Sequence, residues 1–333
     1  MSDGLKSMRR REWVALLGGA TAAWSFAARA QPEASRKKIG ILTSAGSPQN
    51  SVFLAFTKKL RELGYVEGRT ITTEFRSAHG DISRLNDLAS ELVGIPVDVI
   101  VTDGGVSVAS VAKRATSTIP IVMATAGSDP GSSGLVQSLA RPGGNVTGFT
   151  LLSAALSTKR LELLREILPK MNSLGVLWSP ADSPLLFAAT EQAANALGVV
   201  IDSAEAPNRQ DIPLALDKLV RRGVSSMIVL PNAVFWNESK VIVELVAAHS
   251  LPTIYPEREY VDAGGLVSYG PSVSEIFRRA AVYVDRILKG SKPADLPVQE
   301  PTTFEMIINQ KTARSLGLAL PVSVLSRADE VIE

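Results

Sequence analysis

Short apolar, β-branched segments alternate with segments of helical periodicity along most of this 333-residue chain. The strand pattern KIGILTS is followed by the helical pattern VFLAFTKKLRELGY, and the alternation continues into the last third of the chain. Such alternation is typical of parallel sheets that are covered by helices on both faces, because buried strands then read as nearly continuous apolar runs. The sequence therefore predicts an α/β fold with doubly wound parallel sheets.

The alternation starts again in the middle of the chain. Residues 39–44 (IGILTS) and 174–179 (LGVLWS) match in residue type at every position but the fifth. Each of these predicted strands is followed by a helix that ends in Leu-Gly and then by another apolar strand. The repetition predicts two similarly wound lobes in a single chain.

Three segments are expected to connect the lobes: NVTGFT near residue 150, GLVSYG near 269 and TFEMIIN near 307. With these crossings, one lobe is expected to comprise residues 37–149 and 270–304, and the other residues 150–269 and 305–333. Ligands of open parallel sheets lie beyond the carboxyl ends of the strands. Two lobes that face each other would therefore share one ligand-binding cleft.

The N-terminal 30 residues have the pattern of an export signal. Arg9, Arg10 and Arg11 precede a short, glycine-interrupted apolar stretch that ends in Ala-Arg-Ala. A membrane-spanning helix needs roughly 20 strongly apolar residues, whereas a basic start, a short apolar stretch and a small-x-small site are typical of a signal peptide. The adjacent arginines also fit the twin-arginine pattern. We expect cleavage after Ala30 and a periplasmic protein; an uncleaved anchor and the general secretory route are the alternatives.

Charge and composition exclude several classes of function. Removal of the leader takes away five basic and two acidic residues and leaves 30 against 31, a net charge of about −1, which argues against nucleic-acid binding. The chain has no cysteine, its only histidines are His79 and His249, and the usual nucleophile and phosphate-loop motifs are absent. We therefore expect no catalytic residue, no metal and no cofactor. A periplasmic hydrolase is the less favoured alternative.

Polar residues and glycines follow the predicted strands of the first lobe. Gly104 and Gly105 open a helix, so that their amide groups are expected to hold a carboxylate or another anion. The ligand-binding residues predicted for this lobe are Ser44, Ser47, Asp103, Gly104, Gly105, Thr125, Ser128 and Asp129.

Aromatic residues follow the predicted strands of the second lobe. Aromatic residues are only 5% of the chain, and both tryptophans beyond the leader, Trp178 and Trp236, lie at strand ends, which favours a flat or apolar ligand. Trp178→Ala is accordingly expected to weaken ligand binding without changing the melting temperature of the ligand-free protein. Glu257, Asp103 or Asp129 is expected to meet an amino group of the ligand. The further predicted contacts are Phe149, Trp178, Ser179, Asn232, Phe235, Tyr255, Glu257 and Tyr269.

Several longer segments resemble those of a known family. They include LRELGYVEGRTI, LARPGGNVTGFT, KRLELLREILP, LPTIYPEREYVDAGGLVSYGPS and PADLPVQEPTTFEMIINQKTARSLGL. In these segments the chain resembles the ABC-transporter substrate-binding proteins of the tryptophan/tyrosine uptake type, which have the type I periplasmic-binding fold.

The resemblance implies a monomeric receptor that hands a small molecule to an inner-membrane permease driven by a separate ATPase. The ligand is expected to carry a carboxylate and an aromatic or apolar side group, an aromatic amino acid or an aromatic acid being one such class. A sensory protein that presents its ligand to a membrane receptor is the alternative. A cytoplasmic repressor shares this fold, but an export leader stands where its DNA-binding helices would be.

Overall fold

The computed structural model describes residues 36–126, 129–151, 154–180 and 184–333. The predicted signal peptide and the predicted site residue Ser128 lie outside these ranges. Within them, no helix is long and apolar enough to cross a membrane.

Strands and helices alternate through these ranges, as the sequence pattern predicts. The strands are β1 (Lys37–Thr43), β2 (Ile71–Ser77), β3 (Val99–Asp103), β4 (Ile121–Met123), β5 (Val146–Gly148), β6 (Ser173–Trp178), β7 (Val200–Glu205), β8 (Met227–Val229), β9 (Thr253–Tyr255), β10 (Val267–Pro271), β11 (Phe304–Asn309) and β12 (Glu330–Ile332). The α-helices are α1 (Ser51–Glu62), α2 (Leu85–Gly94), α3 (Gly105–Ala115), α4 (Ala154–Ile167), α5 (Pro184–Ala196), α6 (Ile212–Arg221), α7 (Ala233–Asn237), α8 (Ser239–Ala248), α9 (Arg258–Asp262), α10 (Val273–Leu288), α11 (Gln310–Ser315) and α12 (Val322–Leu325).

The first lobe is built on a parallel sheet with the strand order β2-β1-β3-β4-β5. Successive side chains of β1 point to opposite faces of this sheet. Ile41 packs with Phe53 of α1 and Phe277 of α10 on one face, while Leu42 packs with Leu92 of α2 on the other. Burial on both faces explains why the strands are apolar along their whole length.

The second lobe is built on a sheet with the strand order β12-β11-β10-β9-β8-β6-β7. All of its strand pairs are parallel except β10 with β11, which is antiparallel. Apolar clusters cover both faces of this sheet: one includes Leu164 of α4 and the other includes Leu219 of α6. The predicted fold class, with two doubly wound and mainly parallel sheets joined by three crossings, is confirmed.

The chain passes between the two sheets after β5, after β10 and before β11. After β10 it returns to the first lobe as α10, which packs against α1. The segment TFEMIIN, which the sequence suggests only as a crossing, largely forms the antiparallel strand β11. The lobe boundaries at residues 149/150, 269/270 and 304/305 stay a prediction.

Candidate functional site

A cavity lies between the two lobes, where the carboxyl ends of strands from both sheets meet. Its volume is about 60 Å³. We call it the cleft cavity. Its first-lobe lining is Val52, Asp103, Gly104, Gly105, Thr125, Leu151, Val273 and Phe277, and its second-lobe lining is Pro231, Asn232, Ala233, Trp236, Asn237 and Glu257.

Asp103, at the end of β3, is the acidic group of the first-lobe wall. Its two carboxylate oxygens accept hydrogen bonds from the hydroxyl groups of Thr43, at 3.0 Å, and Thr125, at 2.9 Å. Burial raises the pKa of the Asp103 carboxyl, and the hydrogen bonds from the two threonines oppose that rise. The strand end is therefore a hydrogen-bonded cluster that holds its carboxylate in place.

The turn from β3 into α3 brings backbone amide groups to the cavity. Gly104 has a φ of +115°, and a side chain there would overlap Ser44 and Val108. Only glycine fits this position, because it tolerates positive φ and leaves room for the neighbouring strand. The amide of Gly104 donates to Thr125 Oγ1 at 3.3 Å, and Gly105 begins the 11-residue helix α3. The partial positive charge of this helix end therefore lies at the cavity wall.

The short helix α7 forms much of the second-lobe wall. The side chain of Asn232 caps it by accepting hydrogen bonds from the amides of Val234, at 2.8 Å, and Phe235, at 3.1 Å. This cap directs Trp236, one residue further along, across the cavity. Trp236 packs against the apolar cluster of the first lobe that contains Phe277. The indole therefore connects the two lobes.

A side-chain hydrogen bond also joins the lobes directly. Asn50, just before α1, donates from Nδ2 to Oδ1 of Asn237 at the end of α7, at 3.1 Å. Asn237 is held in turn by donating to the carbonyl of Ala233 at 2.7 Å. Because these partners belong to different lobes, this hydrogen bond forms only when the lobes are close together.

Glu257 is a buried carboxyl group at the cavity wall. It is 7% exposed, and its Oε2 has no hydrogen-bond partner in the part of the chain that the structure describes. Burial raises the pKa of Glu257 to about 8, although the nearby Arg160 guanidinium favours the ionised form and Glu259 opposes it. Arg160 is itself 1% exposed and donates from Nε to the carbonyl of Tyr269 at 2.7 Å.

The structure brings six of the residues predicted from the sequence to the cleft cavity: Asp103, Gly104, Gly105, Thr125, Asn232 and Glu257. Other predicted polar residues have local roles. Ser44 lies buried behind Gly104, Ser47 donates to Asn50 at 2.9 Å, and Asp129 accepts from the amide of Gly131 at 2.9 Å. Ser179, which is also predicted, is buried and does not line the cavity.

None of the predicted aromatic contacts lines the cleft cavity, because each packs within its own lobe. Trp178 stacks on Phe187 with ring centroids 4.2 Å apart, Phe149 lies 4.8 Å from Tyr283, and Tyr255 stacks on Tyr260 at 4.9 Å. Phe235 is fully buried in the second-lobe core, and Tyr269 packs against the core on the other face of that sheet. Trp178 in particular packs in the core of the second lobe, and its contact with a ligand stays a prediction.

Sequence reasoning missed most of the apolar lining. Val52 and Val273 come from the first turns of helices, Phe277 comes from the second turn of α10, and Leu151 comes from a crossing. Trp236 lies beyond the end of a predicted strand, which favours a place at the cleft, but Trp178 also lies at a strand end. Position relative to a strand therefore does not distinguish the two tryptophans. Because Phe235 and Trp236 are adjacent on a five-residue helix, periodicity cannot tell which of them faces the cleft.

Comparison with known proteins places this architecture among solute receptors. Residues 48–332 match the family model described as ABC transporter substrate binding protein. The chain is 30% identical over 288 residues to a tyrosine-binding protein of Clostridioides difficile, which covers 85% of this chain and 81% of that protein.

Two solved structures show similar molecules in different states. An ABC domain from Streptococcus pneumoniae in complex with L-Trp is 26% identical and has a TM-score of 0.82, covering 90% of this chain and all of that one. A ligand-free, open substrate binding protein with adhesive properties from Clostridium difficile is 25% identical but has a TM-score of 0.63, covering 89% and 99%. At nearly equal identity and coverage, the present structure is closer to the L-Trp complex. This difference agrees with the contact between lobes through Trp236 and Asn237.

Proposed function

The chain belongs to the ABC transporter substrate-binding protein family, and from this premise we propose that it captures a small molecule between its lobes and delivers it to a membrane permease driven by an ATPase. The observation that carries the proposal is the cleft cavity, which both lobes line at the carboxyl ends of their strands. Open α/β sheets bind ligands at this position. We infer a binding role without catalysis, in keeping with relatives that are named as binding proteins.

The ligand that we propose is a small amphiphile with a carboxylate and an apolar or aromatic side group. The amide of Gly105 at the start of α3 suits a carboxylate. Trp236 and Phe277, with aliphatic side chains beside them, form an apolar wall for a ring or a branched chain. A relative named for tyrosine and another solved with L-Trp support an aromatic amino acid.

Ligand capture is proposed to work by a shift between open and closed forms. Trp236 and the Asn50–Asn237 hydrogen bond join the lobes across the cleft, so we infer that the lobes part to admit the ligand. A ligand that touches both walls then favours the closed form by its differential affinity for that form. The permease would distinguish the loaded protein by the resulting arrangement of the lobes.

A thermal-shift screen tests the proposed function. The mature protein is unfolded, dialysed to remove any retained ligand, refolded and heated with amino acids, aromatic acids and other small metabolites. A true ligand at 100 times its dissociation constant stabilises the folded protein by about 2.7 kcal/mol. Calorimetric titration then gives the stoichiometry, for which we expect one ligand per chain. Failure of every compound to raise the melting temperature would contradict the choice of ligand class.

Asn50→Ala is expected to weaken ligand binding by about 2- to 10-fold, the net value of one hydrogen bond. Asn50 does not line the cavity, so the loss would come from a closed form that lacks its bond to Asn237. Calorimetry with the ligand found in the screen measures the change. The matched control is Asn86→Ala on the exposed surface of α2, which should bind like the wild type. Equal affinities in all three proteins would show that this bond does not contribute to closure.

We propose that the protein reaches the periplasm with its first 30 residues removed. N-terminal sequencing of the periplasmic fraction is expected to show Gln31 first. If export follows the twin-arginine route, the double substitution Arg10→Lys and Arg11→Lys should leave precursor in the cytoplasm. An intact N-terminus in the membrane fraction would instead indicate an anchor.

A further inference from the structure

The ionisable groups that line the cleft cavity are all carboxyl groups. Its described lining contains the carboxyl groups of Asp103 and Glu257 and no lysine, arginine or histidine. A ligand that bears only a carboxylate would meet these groups without an opposing cationic side chain. A positively charged ligand group would stabilise the ionised form of both of them, and more strongly than in water at Glu257, because that carboxyl is buried.

The two carboxyl groups differ in what they already contact. Both oxygens of Asp103 accept hydrogen bonds from threonine hydroxyls of the first lobe. Glu257 is 93% buried, being 7% exposed, and its Oε2 has no hydrogen-bond partner among the described residues. A buried polar group without a partner is destabilising, and Glu257 is the group of this kind whose carboxyl lies at the cavity wall. Glu257 is therefore the group that a ligand would complete.

Arg160 lies behind Glu257 rather than in the cavity. It comes from α4 and is 1% exposed, and its Nε is held by the carbonyl of Tyr269. No ion pair within 4.0 Å joins it to Glu257 in the described part of the chain, yet its charge favours the ionised form of that carboxyl. Arg160 thus acts as a positioning residue, which favours the ionised form of Glu257 without forming an ion pair with it.

We propose that Glu257 accepts the cationic amine of the ligand and thereby selects amines and amino acids over acids of the same shape. The inference rests on the proposed function, since it concerns the ligand of the same cleft. It deepens that function by assigning the dominant polar contact to the amine rather than to the carboxylate. The receptor would then discriminate between an amino acid and its amine-free analogue through a single side chain.

The affinity for amines should depend on pH. Burial raises the pKa of Glu257 to about 8 in the empty protein, so below this pH the carboxyl is mostly protonated and must release its proton to pair with a cation. The affinity for tyramine is therefore expected to rise between pH 6 and pH 8, with a slope approaching about tenfold per pH unit. The groups that face Glu257 are Arg160 on α4, Glu259 and Tyr260 on α9, and Asp103 across the cavity. Glu257→Gln should abolish the slope if Glu257 is its source.

The test uses matched sets of probes that share one side group. The aromatic set is L-tyrosine, tyramine and 3-(4-hydroxyphenyl)propionate, and the aliphatic set is L-leucine, 3-methylbutylamine and 4-methylpentanoate. The acid lacks the amine that would pair with Glu257, and loss of one partner of a buried charge pair weakens binding by at least about 30-fold. In the set that binds, we therefore expect the amino acid and the amine to bind at least about 30-fold more tightly than the acid. If the acid binds as tightly as the amino acid, the inference is overturned while the proposed function stands. If no member of either set binds but another compound of the screen does, the inference is overturned and the proposed function stands.

Glu257→Gln is expected to weaken binding of the amino acid and the amine by at least about 30-fold, and to leave binding of the acid unchanged or stronger. The control is Asp262→Asn on α9, which also removes one negative charge but changes an exposed carboxylate paired with Arg258. It should bind all probes like the wild type. Because wild-type Glu257 is mostly neutral at pH 7, the ligand-free Gln variant should melt near the wild-type temperature. Unchanged amine affinity in a folded Glu257→Gln protein would overturn the assignment.

Discussion

Gly270→Ala is expected to be among the most destabilising single substitutions in this protein. Gly270 lies on β10, where the chain leaves the second lobe, and a β-carbon there would overlap the carbonyl oxygen of Pro256 and lie 3.1 Å from Nη2 of Arg160. Gly270 is not in the left-handed region, so the effect is steric and not conformational. A clash with a backbone oxygen cannot be relieved by rotating a side chain, so that the strand or the loop before Glu257 must move.

We expect Gly270→Ala to lower the free energy of unfolding by about 3 kcal/mol or more, and the melting temperature by about 6 °C or more. Ligand affinity should fall as well, because the displaced loop carries Glu257. Denaturant titration and calorimetry measure the two effects. The matched control is Gly144→Ala before β5, where an added β-carbon meets nothing within 4 Å; it should stay within about 0.5 kcal/mol of the wild type. A Gly270→Ala protein as stable as this control would refute the close contact with Pro256.

Trp178→Ala is expected mainly to lower the stability of the protein, whereas Trp236→Ala is expected mainly to weaken ligand binding. Trp178 is 9% exposed and stacks on Phe187 in the core of the second lobe, so its removal should lower the free energy of unfolding by about 3–5 kcal/mol. Trp236 lines the cleft cavity. Its removal should weaken ligand binding by about 5- to 150-fold, as expected for loss of one desolvated aromatic contact, with a smaller effect on the ligand-free protein.

Denaturant titration without ligand and calorimetric titration with ligand separate these two outcomes. Each tryptophan variant serves as the control for the other, since both remove the same side chain from the second lobe. Trp178→Ala is expected to keep its affinity under conditions where it remains folded. If it instead lost affinity and kept its stability, the expectation drawn from the sequence would be right and the placement of Trp178 in the core would be wrong.

The fold could be predicted from the sequence because its signals are local. The strand predicted from KIGILTS is observed one residue earlier, at Lys37–Thr43, and the repeated LGVLWS pattern lies on β6. Strands of both lobes are buried on two faces, so that their apolar runs are continuous and easy to recognise. The strand β11 was not predicted from the sequence, because its antiparallel pairing with β10 depends on a partner more than 30 residues away.

The site could be predicted only in part. Gly104 could be predicted because a glycine pair after a buried strand indicates a positive φ or a close approach of the backbone. Asp103 and Thr125 lie at the ends of neighbouring strands of the same sheet. The orientation of the aromatic residues could not be predicted, because the end of a strand does not determine which way a large side chain turns. Trp178 turns toward Phe187 on the next helix, whereas Trp236 turns across the cleft because the Asn232 cap orients α7.

The sequence by itself determined the strand and helix pattern, the repetition that makes two lobes, and the glycine turn that brings amides to the cleft. These follow from hydrophobic periodicity and backbone sterics, which act over a few neighbouring residues. Only the tertiary structure decided that Glu257, which the sequence predicts as a ligand contact, is buried with Arg160 behind it. Arg160 belongs to a helix almost 100 residues earlier, and the burial and charge that set the pKa of Glu257 depend on groups that become neighbours only when the second lobe has folded.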